Sequence, residues 1–296
     1  MNKRHKKISR EELIYHIIVI PLFLAFLFIC FYPFYYLFIC TISDNKMVGL
    51  GKIILYPMGI HFKNYVDVLK HPNLLHSAGV SVIRVVLGTS LTLLMNSYVA
   101  YFFTRQEMWA RKFWYRLVIA TMYFSAGMIP NYLNNTMLGL TNTFWIYVIP
   151  GMVGVYNMVL IKTSIESIPP DLEESAYLDG AGYLARFFRI ILPLQKPILA
   201  TTGLFAIVGH WNDFFTTKLY VTNSKLYTLQ FILYELLQQA RAAAEQITGA
   251  QGPEAHITPK AMQMTMTAVV IIPIMCVYPF IQRFYVKGVM IGAVKG

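Results

Sequence analysis

Two short clusters hold most of the side chains whose types and spacing suit chemistry in this 296-residue chain. The first is His210-Trp211-Asn212-Asp213-Phe214, which sets an indole, an amide and a carboxylate side by side. Hydrogen-bonding groups beside an aromatic face suit a ligand with hydroxyls and an apolar C–H patch, as a sugar has. The same residues also fit a plainer part, with Trp211 as an interfacial anchor and Asn212 as a helix–helix hydrogen bond. His210 reads as a packed polar residue. The second cluster is Asp171, Glu173 and Glu174, directly after Pro169-Pro170. The prolines stop the preceding helix and pre-set a new first turn, so the three carboxylates meet the positive end of a helix dipole. Gly180 and Gly182 offer the left-handed backbone that a sharp reversal needs. A second helix, Tyr183 to Ile191, is expected to run until Pro193 and Pro197 break it. Its Leu184, Phe187, Phe188, Ile191 and Leu192 form an apolar stripe, with Arg186 and Arg189 between them. The stretch predicts a helix-turn-helix knob.

The elements that carry these clusters are membrane helices. Hydrophobic residues make up 56% of the chain and charged residues 13%, a balance outside the soluble range. No charged side chain lies between Glu12 and Asp44, between Arg116 and Lys162, or between Lys260 and Arg283. The middle run holds 45 residues, more than twice the roughly 20 that one spanning helix requires, so it folds back once; Pro130-Asn131 and Asn134-Asn135 to Asn142 mark the turn. The expectation is an all-α polytopic membrane protein with six transmembrane helices at about 13–40, 79–103, 117–135, 143–165, 197–216 and 262–284. With the amino terminus inside, 16 of the 25 Lys and Arg fall on the cytoplasmic side. Both termini and the Glu173–Pro193 knob are then cytoplasmic. The net charge of +11 is thus a topological signal, scattered over helix ends, and no nucleic-acid partner is expected. The first apolar run is too long for a cleaved signal peptide and no small-residue cleavage site follows it.

No GxxxxGK[ST], HExxH or Gly-x-Ser-x-Gly pattern occurs, and no His/Cys cluster. The chain is therefore not read as an enzyme and is expected to bind no cofactor or metal itself. Cys30, Cys40 and Cys276 lie inside predicted spans and suggest packing rather than disulfides. Arg84, near the outer end of the second span, is expected to snorkel to the headgroups. Asn157 lies within the fourth span, where an amide is costly unless it pairs or meets water, and is a candidate lining residue of a pathway together with Trp211, Asn212 and Asp213.

Glu174-Ser175-Ala176, three residues, Gly180, nine residues, Ile190, one residue and Leu192-Pro193 together match the spacing of a known motif. The stretch resembles the EAA loop of bacterial ABC importer permeases, and Asp179-Gly180-Ala181 resembles the carbohydrate branch in particular, with serine for the first alanine. Gly127-Met128-Ile129-Pro130, Leu138-Gly139-Leu140, Asn142-Thr143 and Trp145 resemble the same branch, as does Trp211-Asn212-Asp213. The resemblance covers nearly the whole chain and implies a type I ABC importer permease fold, one permease domain over 1–296 with a core at 79–284. It implies that 169–196 is the coupling loop on a partner ATPase dimer, through Glu173, Glu174, Ser175, Ala176, Asp179, Gly180, Ala181, Ile190, Leu192 and Pro193. It further implies a second, homologous permease subunit, an extracytoplasmic solute-binding protein, ATP and Mg held by the ATPases, and alternating access in the inner membrane. The external insert 217–260, with helix-prone Leu229 to Gln246, is placed to touch the binding protein. The tail 288–296, ending in Lys295-Gly296, resembles one that enters the ATPase interface in maltose-type importers. The insert and the following segment most resemble permeases for oligosaccharides or polysaccharide fragments, in some cases acidic ones. A secondary active transporter without an ATPase is the alternative; it predicts internal repetition between halves, and none is found.

Overall fold

The computed structural model describes residues 10–70, 72–246, 260–276 and Pro279. Among them the regular structure is helical. In chain order the helices are α1 (Arg10–Thr41), α2 (Asn45–Gly49), α3 (Lys63–Leu69), α4 (Leu74–Thr104), α5 (Arg111–Thr121), α6 (Met128–Met137), α7 (Val155–Glu166) and α8 (Asp171–Leu178). They continue with α9 (Tyr183–Leu194), α10 (Lys196–Asn212), α11 (Phe215–Tyr220), α12 (Leu229–Gln246) and α13 (Lys260–Cys276). Single 3-10 turns occupy Phe144–Tyr147 and Ser224–Leu226. The described residues divide into two compact units, those up to Lys70 with Leu237–Val269, and those of His71–Leu236 with the ones from Val270 on.

In the first unit, α1 carries Pro21 and Pro33 without interruption. Apart from the half-buried Val19, its side chains from Ile14 to Phe31 are exposed and almost wholly apolar, as a helix against lipid would be. At its end the chain folds into a small cap. Asp44 caps α2 by accepting from the Lys46 and Met47 amides, and the Asn64 side chain donates to the Thr41 carbonyl at 3.0 Å. The Tyr65 hydroxyl meets Thr41 Oγ1 at 2.9 Å. Asn64 and Tyr65 are thus the fasteners of this cap, over a core of Ile39, Cys40, Val48, Ile53 and Ala261.

In the second unit, α4 is the long element, flanked by α7 and α10. Small residues allow the approach. A Cβ on Gly88 would lie 2.6 Å from the His210 ring, and one on Gly203 would lie 3.3 Å from Leu93. One apolar cluster joins α4 (Ala100, Tyr101, Phe103), α7 (Met158, Ile161, Ile165) and α9 (Phe187, Ile191). A second gathers Val80, Ile146, Tyr147, Val148 and Val221.

Several expected boundaries move. Among the described residues two helices are long and apolar enough to cross a membrane alone, Ile14–Thr41 and Leu74–Thr104, or three if α9 and α10, bent by 83°, make one span. The expected third span is divided into α5 and α6 around Gly127, which has φ +84°. Pro130 does not turn the chain: it sits in the first turn of α6, where a missing N–H costs no hydrogen bond. The reversal comes after α6, where Gly139 takes φ +68° and the Leu140 amide donates back to the Asn135 carbonyl at 3.0 Å. The fourth span is likewise split into the 3-10 turn Phe144–Tyr147 and α7. The fifth ends at Asn212, because Asp213 leaves the helix in an extended conformation. The sixth overlaps α13, a shorter apolar helix. The tail 288–296 and residues 247–259 of the external insert lie outside the described residues.

Candidate functional site

The knob is built as two unlike arms. The first, α8, begins after Pro170 with Asp171, Glu173 and Glu174 in its first turn, and none of its residues is buried. It closes on Gly180, whose φ is +81°. There the Ala181 amide donates to the Ala176 carbonyl at 2.9 Å and the Gly180 amide to the Tyr177 carbonyl at 3.0 Å, the paired bonds of a Schellman turn. Gly182, expected to be left-handed as well, is extended at φ −67° and ψ 167°; one left-handed residue completes the reversal.

The second arm, α9, is anchored. Phe187 and Ile191 enter the cluster formed with α4 and α7, and Phe187 packs edge-on against Tyr98 with ring centroids 5.5 Å apart. The helix was expected to stop at Pro193 and instead runs to Leu194. Phe187–Ile191 is a π-helical turn, whose longer bonding step removes the clash that a proline ring makes four residues back. The break falls at Gln195.

Arg186 and Glu173 connect the arms. The Glu173 carboxylate accepts from the Tyr101 hydroxyl at 2.6 Å, forms an ion pair with Arg105, and lies 3.3 Å from an Arg186 Nη. Arg186 is buried, its guanidinium 4.6 Å from the centroid of Tyr183 and 5.1 Å from that of Tyr177. Arg105 stacks over Tyr101 at 4.4 Å. An open cleft of about 620 Å³ lies beside this group, lined by Arg105, Arg111, Pro169, Glu173, Glu174 and Tyr177 among others. Outward, the knob exposes Leu172, Tyr177, Leu178, Tyr183, Leu184 and Phe188. Exposed apolar side chains on an arm that also carries carboxylates are suited to docking a partner rather than to catalysis.

At the far end of α10 the His210–Phe214 cluster resolves into separate jobs. Trp211 is buried and donates its indole N–H to the Val270 carbonyl at 3.1 Å. Asp213 forms an ion pair with Arg84, which also donates to the Asp213 carbonyl at 2.9 Å. The Thr216 amide caps the other Asp213 oxygen at 3.0 Å. Arg84 is 3% exposed and lies 4.5 Å from the Tyr147 ring centroid. It does not snorkel, because a carboxylate, a carbonyl and an aromatic face all await it inside the unit. Tyr147 in turn bonds Thr217 at 3.0 Å and the Leu226 carbonyl at 2.7 Å. Asn212 is exposed.

A family profile described as binding-protein-dependent transport system inner membrane component matches residues 11–291. The chain belongs to this family. Among relatives of this permease is Protein LplC of Bacillus subtilis (strain 168), 34% identical over 267 residues that make up 89% of each chain. A second, from the same organism, is the polygalacturonan/rhamnogalacturonan transport system permease protein YtcP, 32% identical over 96% of this chain and 99% of its own. In three dimensions the permease resembles a chain of a bacterial ABC transporter involved in the import of the acidic polysaccharide alginate, with a TM-score of 0.83 at 27% identity over 94% of this chain and 98% of that one. The permease is thus a transport component and not an enzyme, with the helical fold of an ABC importer permease.

Of the motif residues in the permease, Glu174, Ser175, Asp179 and Pro193 are exposed, and Ala176, Ala181, Ile190 and Leu192 are half-buried. Glu173 is turned inward. Asn157 stands in the first turn of α7, its amide 3.8 Å from where a Cβ on Gly154 would be. Trp211, Asn212 and Asp213 do not converge on one point. Lys295 and Gly296 lie outside the described residues. Sequence reasoning missed Asn96 and Arg105. The wholly buried Asn96 donates to the Met152 carbonyl at 3.1 Å and accepts the Gly154 amide at 3.0 Å, pinning the turn before α7. An amide within an apolar run is the signal that would have flagged it.

Proposed function

We propose that this permease is one of two homologous subunits that form the membrane pathway of an ATP-driven importer for oligosaccharides or polysaccharide fragments, with acidic glycans preferred. The observation that carries the reading is the two-armed knob, an exposed arm with an apolar and acidic face held on an anchored one. In this reading it docks on a dimer of ATPases, which hold ATP and Mg and do the hydrolysis, while a solute-binding protein delivers cargo on the other side. Six crossings with both termini cytoplasmic would put the knob where the ATPases are; the bias of basic residues supports that orientation. Closure of the ATPases would move the knob, and the unit anchored to it would alternate between outward and inward openings. The acidic preference is supported by the polygalacturonan/rhamnogalacturonan permease among the relatives and by the resemblance to the alginate importer.

The test is mass spectrometry of what co-purifies with the chain when it is expressed with its genomic neighbours and extracted in mild detergent. An ATPase and a second permease are expected, with the ATPase lost on Glu174→Lys. Recovery of the chain alone in several detergents would favour a secondary transporter instead.

A further inference from the structure

Glu173 and Glu174 are adjacent on α8, yet they meet opposite surroundings. Glu174 is exposed. The Glu173 side chain is only 13% exposed; one of its oxygens accepts from the Tyr101 hydroxyl and from Arg105, and an Arg186 Nη stands 3.3 Å from the same oxygen as an ion pair. These groups come from three places: the last turn of α4, the residue that follows it, and the anchored arm α9. Because α8 buries none of its residues, apolar packing contributes little to its attachment. Among the described residues, its side chains are tied to other elements by Tyr177 against Arg186 and by this carboxylate. The Arg105 bond to the carboxylate is charge-assisted, the strong kind; the Arg186 ion pair adds to it, and both are partly shielded from water.

We infer that Glu173 is a positioning residue that carries the displacement of the docking arm into α4, and that Glu174 alone of the pair faces the partner. The inference rests on the reading of the knob as the ATPase-coupling element. Pushing α8 pulls on Glu173; Arg105 and Tyr101 pass the pull to the end of α4, while Arg186 keeps α9 moving with it. Without the carboxylate, α8 would swing on its two flanking turns and the α4 end would stay behind.

Hydrogen exchange by mass spectrometry on the whole detergent-extracted complex, with and without ATP, separates the two glutamates without requiring the cargo. In the wild type, ATP should change exchange both in 171–178 and in 100–108. Glu173→Gln should keep the ATPase recovered and the response of 171–178, but reduce the response of 100–108 roughly fivefold, since a charge-assisted clasp has become a neutral one. Tyr101→Phe, which keeps the ring, should give a smaller loss in the same segment. Glu173→Asp, which keeps the negative charge that both arginines meet, should restore part of the response that Glu173→Gln loses, which a merely structural defect would not allow. Glu174→Gln should instead lower ATPase recovery. An unchanged ATP response at 100–108 in Glu173→Gln would overturn the inference, as would loss of the ATPase in Glu173→Gln to the same degree as in Glu174→Gln. If the wild type itself recovers no ATPase, the reading of the knob falls first and takes this inference with it.

Discussion

Gly180 offers a clean separation between backbone and side-chain effects. Its φ of +81° is one that L side chains rarely adopt, yet a Cβ built there would have no heavy atom within 4 Å. A substitution therefore meets no wall, and the whole cost is conformational. For alanine the left-handed penalty is about 1–2 kcal/mol; valine, stiff at χ1, lies at or above the upper end; asparagine tolerates the region and lies below. Each ~1.4 kcal/mol is a factor of ten, so valine lowers the population of the closed turn roughly thirtyfold. Phe187 and Ile191 still hold α9 in the core, so the chain inserts and only the presentation of α8 fails. Quantitative recovery of ATPase on tagged permease should fall in the order Gly, Asn, Ala, Val, at equal membrane levels. The reasoning is refuted if valine recovers as much ATPase as glycine, or if asparagine is worse than alanine, since that order tracks side-chain size at a partner's face.

Two further outcomes follow from packing in the second unit. Gly88→Ala places a methyl 2.6 Å from the His210 ring; overpacking of this kind costs about 1–3 kcal/mol, so the thermal unfolding midpoint in detergent should drop, and Gly88→Ala with His210→Ala should regain most of it. Arg84→Met strands the Asp213 carboxylate, and breaking a buried pair costs about 3–5 kcal/mol, with the low end expected because 26% of the Asp213 side chain is open; adding Asp213→Leu should recover stability measured the same way.

The helical class, the first span and the architecture of the knob were legible because each rests on local signals. A charge-free run, a Pro-Pro start and a glycine stop act through the backbone within a few residues. The third and fourth spans were misjudged for the complementary reason. Apolar composition reports the environment of a segment and not its continuity, so the breaks at Gly127 and before Val155 left hydropathy unchanged while dividing the helices. Arg84 was misread because its partner is Asp213, 129 positions away, and no local rule connects such residues. Glu173 and Glu174 look alike in sequence; only the arrival of α4 and α9 tells them apart. The Trp-Asn-Asp run was legible as a place of consequence but not in its division of labour, since consecutive residues at the end of a helix point to different neighbours.

The length of α4 has a consequence for how such a permease can change its cargo. The Arg84–Asp213 pair and the Tyr101–Glu173 contact are mounted on one proline-free helix, separated by about 25 Å at 1.5 Å rise per residue. A beam of that kind gives its two ends a common coordinate. In the importer reading proposed above, retuning what is admitted near the Arg84 end would shift the rest position of the knob end, and selection on cargo would become selection on the drive as well. Adaptation to a new solute is expected to leave its second mark not beside the first, but a membrane's thickness away.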